Sequence, residues 1–129
     1  MPVASPFSYA VYRLVPRVER GERINVGVVV FSRPLHFLEA RTALDEPRAL
    51  ALWPELDVES VRAHLTASER IAAGDAAAGP IARLDTTARF HWLVSPSSTI
   101  IQPSDVHTGI CGEPGAELAK LFRELVETS

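Results

Sequence analysis

Cysteine is nearly absent from this chain, with Cys111 alone among 129 residues. A lone thiol excludes an internal disulfide, so the expected compartment is a reducing one, the cytoplasm. Lysine is equally scarce, since Lys120 stands beside twelve arginines. Excess positive charge is also missing, because thirteen basic residues face sixteen acidic ones and the formal net charge is −3. Such a chain has no overall field to collect phosphate backbones, and nucleic acid is not expected as a partner. Long apolar runs are missing too. The longest, residues 26–31, falls far short of the roughly 20 residues that span a bilayer. The opening "MPVASPFSYAVYR" has no basic segment ahead of a long apolar stretch, so neither a secretory leader nor a membrane contact is expected. The familiar catalytic signatures are lacking as well: a glycine-rich phosphate loop with its lysine, a dinucleotide glycine fingerprint, a nucleophile elbow, a Cys-x-x-Cys pair. His36, His64, His91 and His107 are not at metal-ligand spacing, so no metal or cofactor is expected.

What is present is a globular composition. Apolar residues make up 47% and charged ones 22%, which is enough to build one core and argues against disorder. The length fits a single domain over 1–129, with residues 1–6 as a flexible lead. "FSYAVYRLV" is rich in aromatic and β-branched residues and predicts a strand that Pro16 ends. "INVGVVVFS" is apolar on both faces and predicts a central strand covered on both sides, with Gly27 marking a bulge or a close approach. "HFLEARTA" alternates and completes an antiparallel meander. Helices follow, capped by Asp45, by Asp57 and by Asp85 or Thr86. "SSTIIQPS" reads as a fourth strand, and "PGAELAKLFREL" as a terminal helix whose apolar stripe packs on the sheet. The expected fold class is therefore α+β: an antiparallel sheet of about four strands with three to four helices packed on it.

Two stretches are candidates for contact. The first is the hairpin tip "VPRVERGER", where Arg17, Glu19, Arg20, Glu22 and Arg23, together with Asn25 at the start of the next strand, form an interaction candidate. The second is a polar run near the C-terminus. Arg13 and Arg41 lie within predicted strands, where an unpaired charge is costly. Glu39 or Asp105 would satisfy them as structural ion pairs. Alternatively, they form an anion or ligand pocket with Tyr12, Ser98, Thr99, Gln102 and His107, because arginine forks suit carboxylate and phosphate groups. An extended segment at 104–108 would put Asp105 and His107 on one side, with the carboxylate orienting the imidazole. Cys111, just ahead of a helix start, reads as a buried and inert residue before a reactive thiol. Trp53 and Trp92 read as packing residues, and Glu55, Glu113 and Glu127 as solvated surface.

Two patterns are more specific. Tyr-x-x-x-Pro-x-x-x-x-Gly-Glu-x-x-Asn-Val-Gly-Val falls on Tyr12, Pro16, Gly21, Glu22, Asn25, Val26, Gly27 and Val28. Gln-Pro-Ser-x-Val-His-x-Gly falls on Gln102, Pro103, Ser104, Val106, His107 and Gly109. In order and spacing these stretches, over residues 7–126, resemble a bacterial family known as domain of unknown function 3037. That family has no assigned activity, cofactor or catalytic residue to carry over. Its members are often encoded beside a HipA-like kinase, so the resemblance implies a non-catalytic interaction or accessory protein for such a kinase. The alternative is a small enzyme or anion-binding module centred on Arg13, Arg41, Gln102 and His107.

Overall fold

The computed structural model describes residues 4–96 and 99–127. Strands β1 (Ser5–Leu14), β2 (Ile24–Ser32) and β3 (Phe37–Thr42) form the expected meander. Helices α1 (Glu46–Leu52), α2 (Val58–Ala73) and α3 (Thr86–Leu93) follow, with two short 3₁₀ turns at Ala76–Ala78 and Ile81–Arg83. Strands β4 (Ile101–Pro103) and β5 (His107–Cys111) lead into α4 (Pro114–Leu125). All pairings are antiparallel, in the order β3-β2-β1-β4, with β5 sharing the outer edge of β1 with β4. The sheet thus has five strands, one more than the sequence pattern suggests. β1 also begins at Ser5, two residues ahead of the predicted strand.

The sheet is covered on both faces. One apolar cluster joins Ala10, Tyr12, Leu14, Val29 and Phe31 to buried residues of the first three helices, including Val61, Leu65 and Phe90. The other joins Phe7, Val28 and Val30 to Leu118, Leu121 and Phe122 of α4. Val28, Val29 and Val30 are each fully buried, so successive side chains of β2 feed opposite cores. Burying each one is worth roughly 1.5–3 kcal/mol relative to leaving it in water.

Two irregularities decide which residues face which layer. Between β1 and β2 the register passes from Tyr12↔Gly27 to Arg13↔Asn25, so Val26 is an extra residue on β2. The bulge keeps Ile24 and Val26 in the same cluster as Val29 and Phe31, although strict alternation would separate them. Along the outer edge of β1, Tyr12 pairs with Pro103 but Tyr9 pairs with His107. Val11 and Ala10 therefore face the three residues Ser104, Asp105 and Val106. Ser104 repairs the ladder there. Its N–H donates to the Val11 carbonyl at 2.8 Å, and its hydroxyl accepts from the Val11 N–H at 2.9 Å.

Helix termini follow local chemistry. Asp45, Asp57 and Asp85 cap α1, α2 and α3 by accepting from the N–H groups of Arg48, Ser60 and Ala88. Gly74, at φ 73°, closes α2 in the left-handed conformation. Glu113 is a cap and not merely solvated surface, since its carboxylate accepts from Gly115 N at 2.8 Å and Ala116 N at 2.6 Å. At the other end of α4, the Asn25 amide donates to the Leu125 carbonyl at 3.0 Å and ties the helix to β2.

Candidate functional site

The β1–β2 hairpin ends in an exposed tip. Arg20 N and Gly21 N both donate to the Arg17 carbonyl, at 3.0 and 3.3 Å, which folds residues 17–21 into a compact turn. Gly21 sits at φ 72°, a conformation that glycine adopts at least cost. Two side-chain ion pairs flank the turn, Arg17 with Glu19 at 2.8 Å and Arg20 with Glu22. A hydrogen bond from its own backbone N–H, followed by that from Arg17, holds the Glu19 carboxyl below its usual range, and the hydrogen bond from Arg20 does the same for Glu22. All of these groups are solvated, so the pairs order the surface more than they stabilise the fold. Arg23 makes no ion pair among the described residues, and three arginines against two glutamates leave the tip positive on an acidic chain. Val18, which in sequence separates the two residues of the first pair, keeps 52% of its surface exposed. Asn25 is not part of this exposed surface, because its amide binds the end of α4.

The residues expected to form an anion pocket divide between the two faces of the sheet. Adjacent strand residues point to opposite sides, so Tyr12 enters the helical layer while Arg13 faces the α4 side. Gln102 is directly opposite Arg13, and His107 lies further along the same edge, its ring stacked on Tyr9 at 5.2 Å. The Gln102 amide donates to the Thr99 carbonyl at 2.9 Å, closing the turn before β4. Arg41 is on β3, three strand spacings or roughly 14 Å of sheet from β4. Its guanidinium lies over the Phe122 ring of α4, 5.7 Å from the centroid. The ion pairs expected with Glu39 or Asp105 are absent among the described residues, for Arg13 and for Arg41 alike. No hydrogen bond joins Asp105 to His107 either, because the bulge at 104–106 breaks the extended geometry that this pairing required. Ser98 lies outside the described residues.

Tyr12 and Thr99 instead line a cavity of about 270 Å³ between α2, α3 and β4, together with His64, Ser68, Trp92 and Pro103 among others. The Tyr12 hydroxyl donates to the Leu93 carbonyl at 3.2 Å and is hydrogen-bonded with Ser68. Burial, partly offset by Ser68, raises the Tyr12 pKa well above that of an ordinary phenol. Partial burial lowers the His64 pKa. Trp92 keeps 49% of its surface exposed at this cavity, where the sequence reading had it packed away. Of this lining the sequence singled out Tyr12 and Thr99, but not His64 and Ser68, which stand four residues apart and so share a helix face.

Cys111 is buried, and burial followed by the nearby Glu117 and Glu113 carboxylates pushes its thiol pKa up, the opposite of activation. Among the described residues no group of three or more His, Cys, Asp or Glu side chains is placed to hold a metal ion. No helix there is long and apolar enough to cross a membrane.

Comparison with curated proteins and with solved structures gives no match. A family model does match, over residues 9–126, from Tyr9 in β1 to Val126 just past α4. The matched span holds both the hairpin tip and the cavity, and on that match the chain belongs to the family described as Protein of unknown function (DUF3037).

Proposed function

We propose that this domain is a non-catalytic interaction protein, that its contact surface is the β1–β2 hairpin tip, and that its partner is a HipA-like kinase encoded beside it. The observation that carries the reading is the tip itself: an exposed valine and two ion pairs, on a turn fixed by its own hydrogen bonds. An exposed apolar side chain among charged ones is a surface that a small protein contact can use, the apolar group packing and the charges selecting the partner. A pre-folded turn also loses little conformational entropy on binding. The excess arginine charge favours an acidic patch on the partner and a salt-sensitive encounter. The kinase assignment rests on the family resemblance, and the surface assignment on the tip.

Co-expression with the neighbouring kinase, followed by size-exclusion chromatography, tests both. A stable complex is expected, weakened about tenfold or more by Val18→Asp and by Arg20→Glu. No complex at micromolar concentration refutes the kinase as a tight partner. A complex indifferent to both substitutions refutes the tip as its surface.

A further inference from the structure

The cavity beneath Trp92 is chemically unlike the hairpin tip. Its walls are aromatic and apolar side chains with hydroxyls and one imidazole, and among the described residues no Asp, Glu, Lys or Arg lines it. A phosphate or carboxylate entering it would lose its hydration without meeting a countercharge, which disfavours anions strongly. The volume, about 270 Å³, lies near the lower end of small-molecule sites and suits one or two fused rings.

The polar groups are few and mostly held in place. Tyr12 donates to the Leu93 carbonyl, and the Ser95 hydroxyl donates to the His91 carbonyl at 2.7 Å. The Thr99 hydroxyl donates to the Ile101 carbonyl at 2.9 Å. His64 differs, making no hydrogen bond among the described residues. Its lowered pKa keeps the ring neutral near pH 7, with one nitrogen to donate and one to accept. Trp92 is also unlike its neighbours on α3, since Phe90 and Leu93 are buried while its indole stays half exposed. A large aromatic surface left open at the mouth of a cavity is a stacking platform.

We propose that this cavity binds a neutral, planar ring compound, stacked on Trp92 and hydrogen-bonded through a ring nitrogen or hydroxyl to His64. The site needs no partner protein, so it stands or falls independently of the hairpin reading.

The test is amide and indole NMR of the isotope-labelled full chain, titrated with indole, phenol and adenine as neutral rings and with benzoate and inorganic phosphate as charged comparators. Saturable shifts are expected at the Trp92 indole N–H and at the His64 and Ser68 amides, with the neutral rings at concentrations up to about 10 mM. Trp92→Ala is expected to weaken binding about tenfold, and His64→Ala by several fold, while Trp53→Phe leaves it unchanged. Neither Trp92 nor His64 belongs to either apolar cluster, so these variants keep the fold, which the dispersion of the remaining signals verifies. Absence of saturable shifts with every neutral ring overturns the proposal. So does binding that survives Trp92→Ala unchanged, or benzoate binding more tightly than indole.

Discussion

Replacing Gly27 with alanine measures how closely β2 is held between its neighbours. A Cβ at this position would stand 2.9 Å from the Thr42 methyl carbon, 3.1 Å from the Arg41 carbonyl oxygen and 3.2 Å from Cδ2 of Tyr12. The nearest of these contacts belongs to a side chain, but the second is backbone. The Arg41 oxygen is fixed within the β2–β3 pairing, and the Tyr12 ring is anchored by its hydroxyl at Leu93. Relief therefore has to come from a shift of β3 or of the Tyr12 ring, and inserting a methyl into such a site costs about 1–3 kcal/mol. An opposing effect acts through the unfolded chain, which alanine restricts by about 0.4–1 kcal/mol relative to glycine. Gly27 is not in the left-handed region, so alanine adopts its backbone conformation without further penalty. The steric effect wins. Gly27→Ala is expected to lose about 1–2 kcal/mol, or roughly 3–10 °C in Tm for a domain of this size.

Urea unfolding followed by far-ultraviolet circular dichroism reads this as a lower midpoint at unchanged slope. Thr42→Ser removes the nearest clashing carbon, so the double variant should recover part of the loss, and a double-mutant cycle gives the coupling. An alanine variant as stable as the parent, or more so, would show that the bulge at Val26 leaves slack around Gly27 and would refute the close-packing argument.

Two further substitutions probe the polar groups that position the site. Ser104→Ala leaves the Val11 N–H without its acceptor in a buried stretch of the sheet, and is expected to cost about 1–3 kcal/mol. Faster hydrogen exchange at Val11 than in the parent is the local readout, and unchanged protection there would contradict the assignment. Tyr12→Phe removes the donor to Leu93 and costs about 0.5–1.5 kcal/mol at pH 8. Burial raises the folded-state pKa of Tyr12 above its unfolded value, so its contribution is complete below about pH 10 and is lost as pH rises beyond that. The stability gap between the two proteins should therefore narrow between pH 8 and about pH 11. A constant gap in urea titrations would refute the linkage.

The meander, the caps and the double-sided β2 were legible because each rests on local rules: alternation, a carboxylate before a helix, an apolar run with no polar face. Gly27 was legible for the same reason, since a glycine inside such a run has few explanations. How the candidate pocket residues are distributed was not. Tyr12 and Arg13 are consecutive in one strand, so they reach opposite layers, and grouping them as one site ignored the alternation that had identified the strand. Arg41 was grouped by its charge, yet two intervening strands and its seat over Phe122 keep it apart. Pairing order is non-local, and no spacing in a single sequence reports it.

The outer edge of β1 is where local pattern and tertiary structure diverge most. A continuous strand through residues 101–111 would carry Ile101, Pro103, Asp105 and His107 on one face. With the extra residue at 104–106, Ile101 and Pro103 follow Leu14 and Tyr12 toward the helical layer, while His107 follows Tyr9 to the α4 side. One short edge segment thus serves both layers: β4 supplies a wall of the cavity beneath Trp92, and β5 seals the core around Cys111. The Gln-Pro-Ser-x-Val-His-x-Gly pattern spans this changeover. Pro103 lines the cavity, Ser104 supplies the hydroxyl that replaces a missing ladder partner, and Gly109 admits the Phe7 ring, which would come within 2.8 Å of a Cβ there. Pro103, Ser104 and Gly109 thus serve the changeover through backbone geometry and packing.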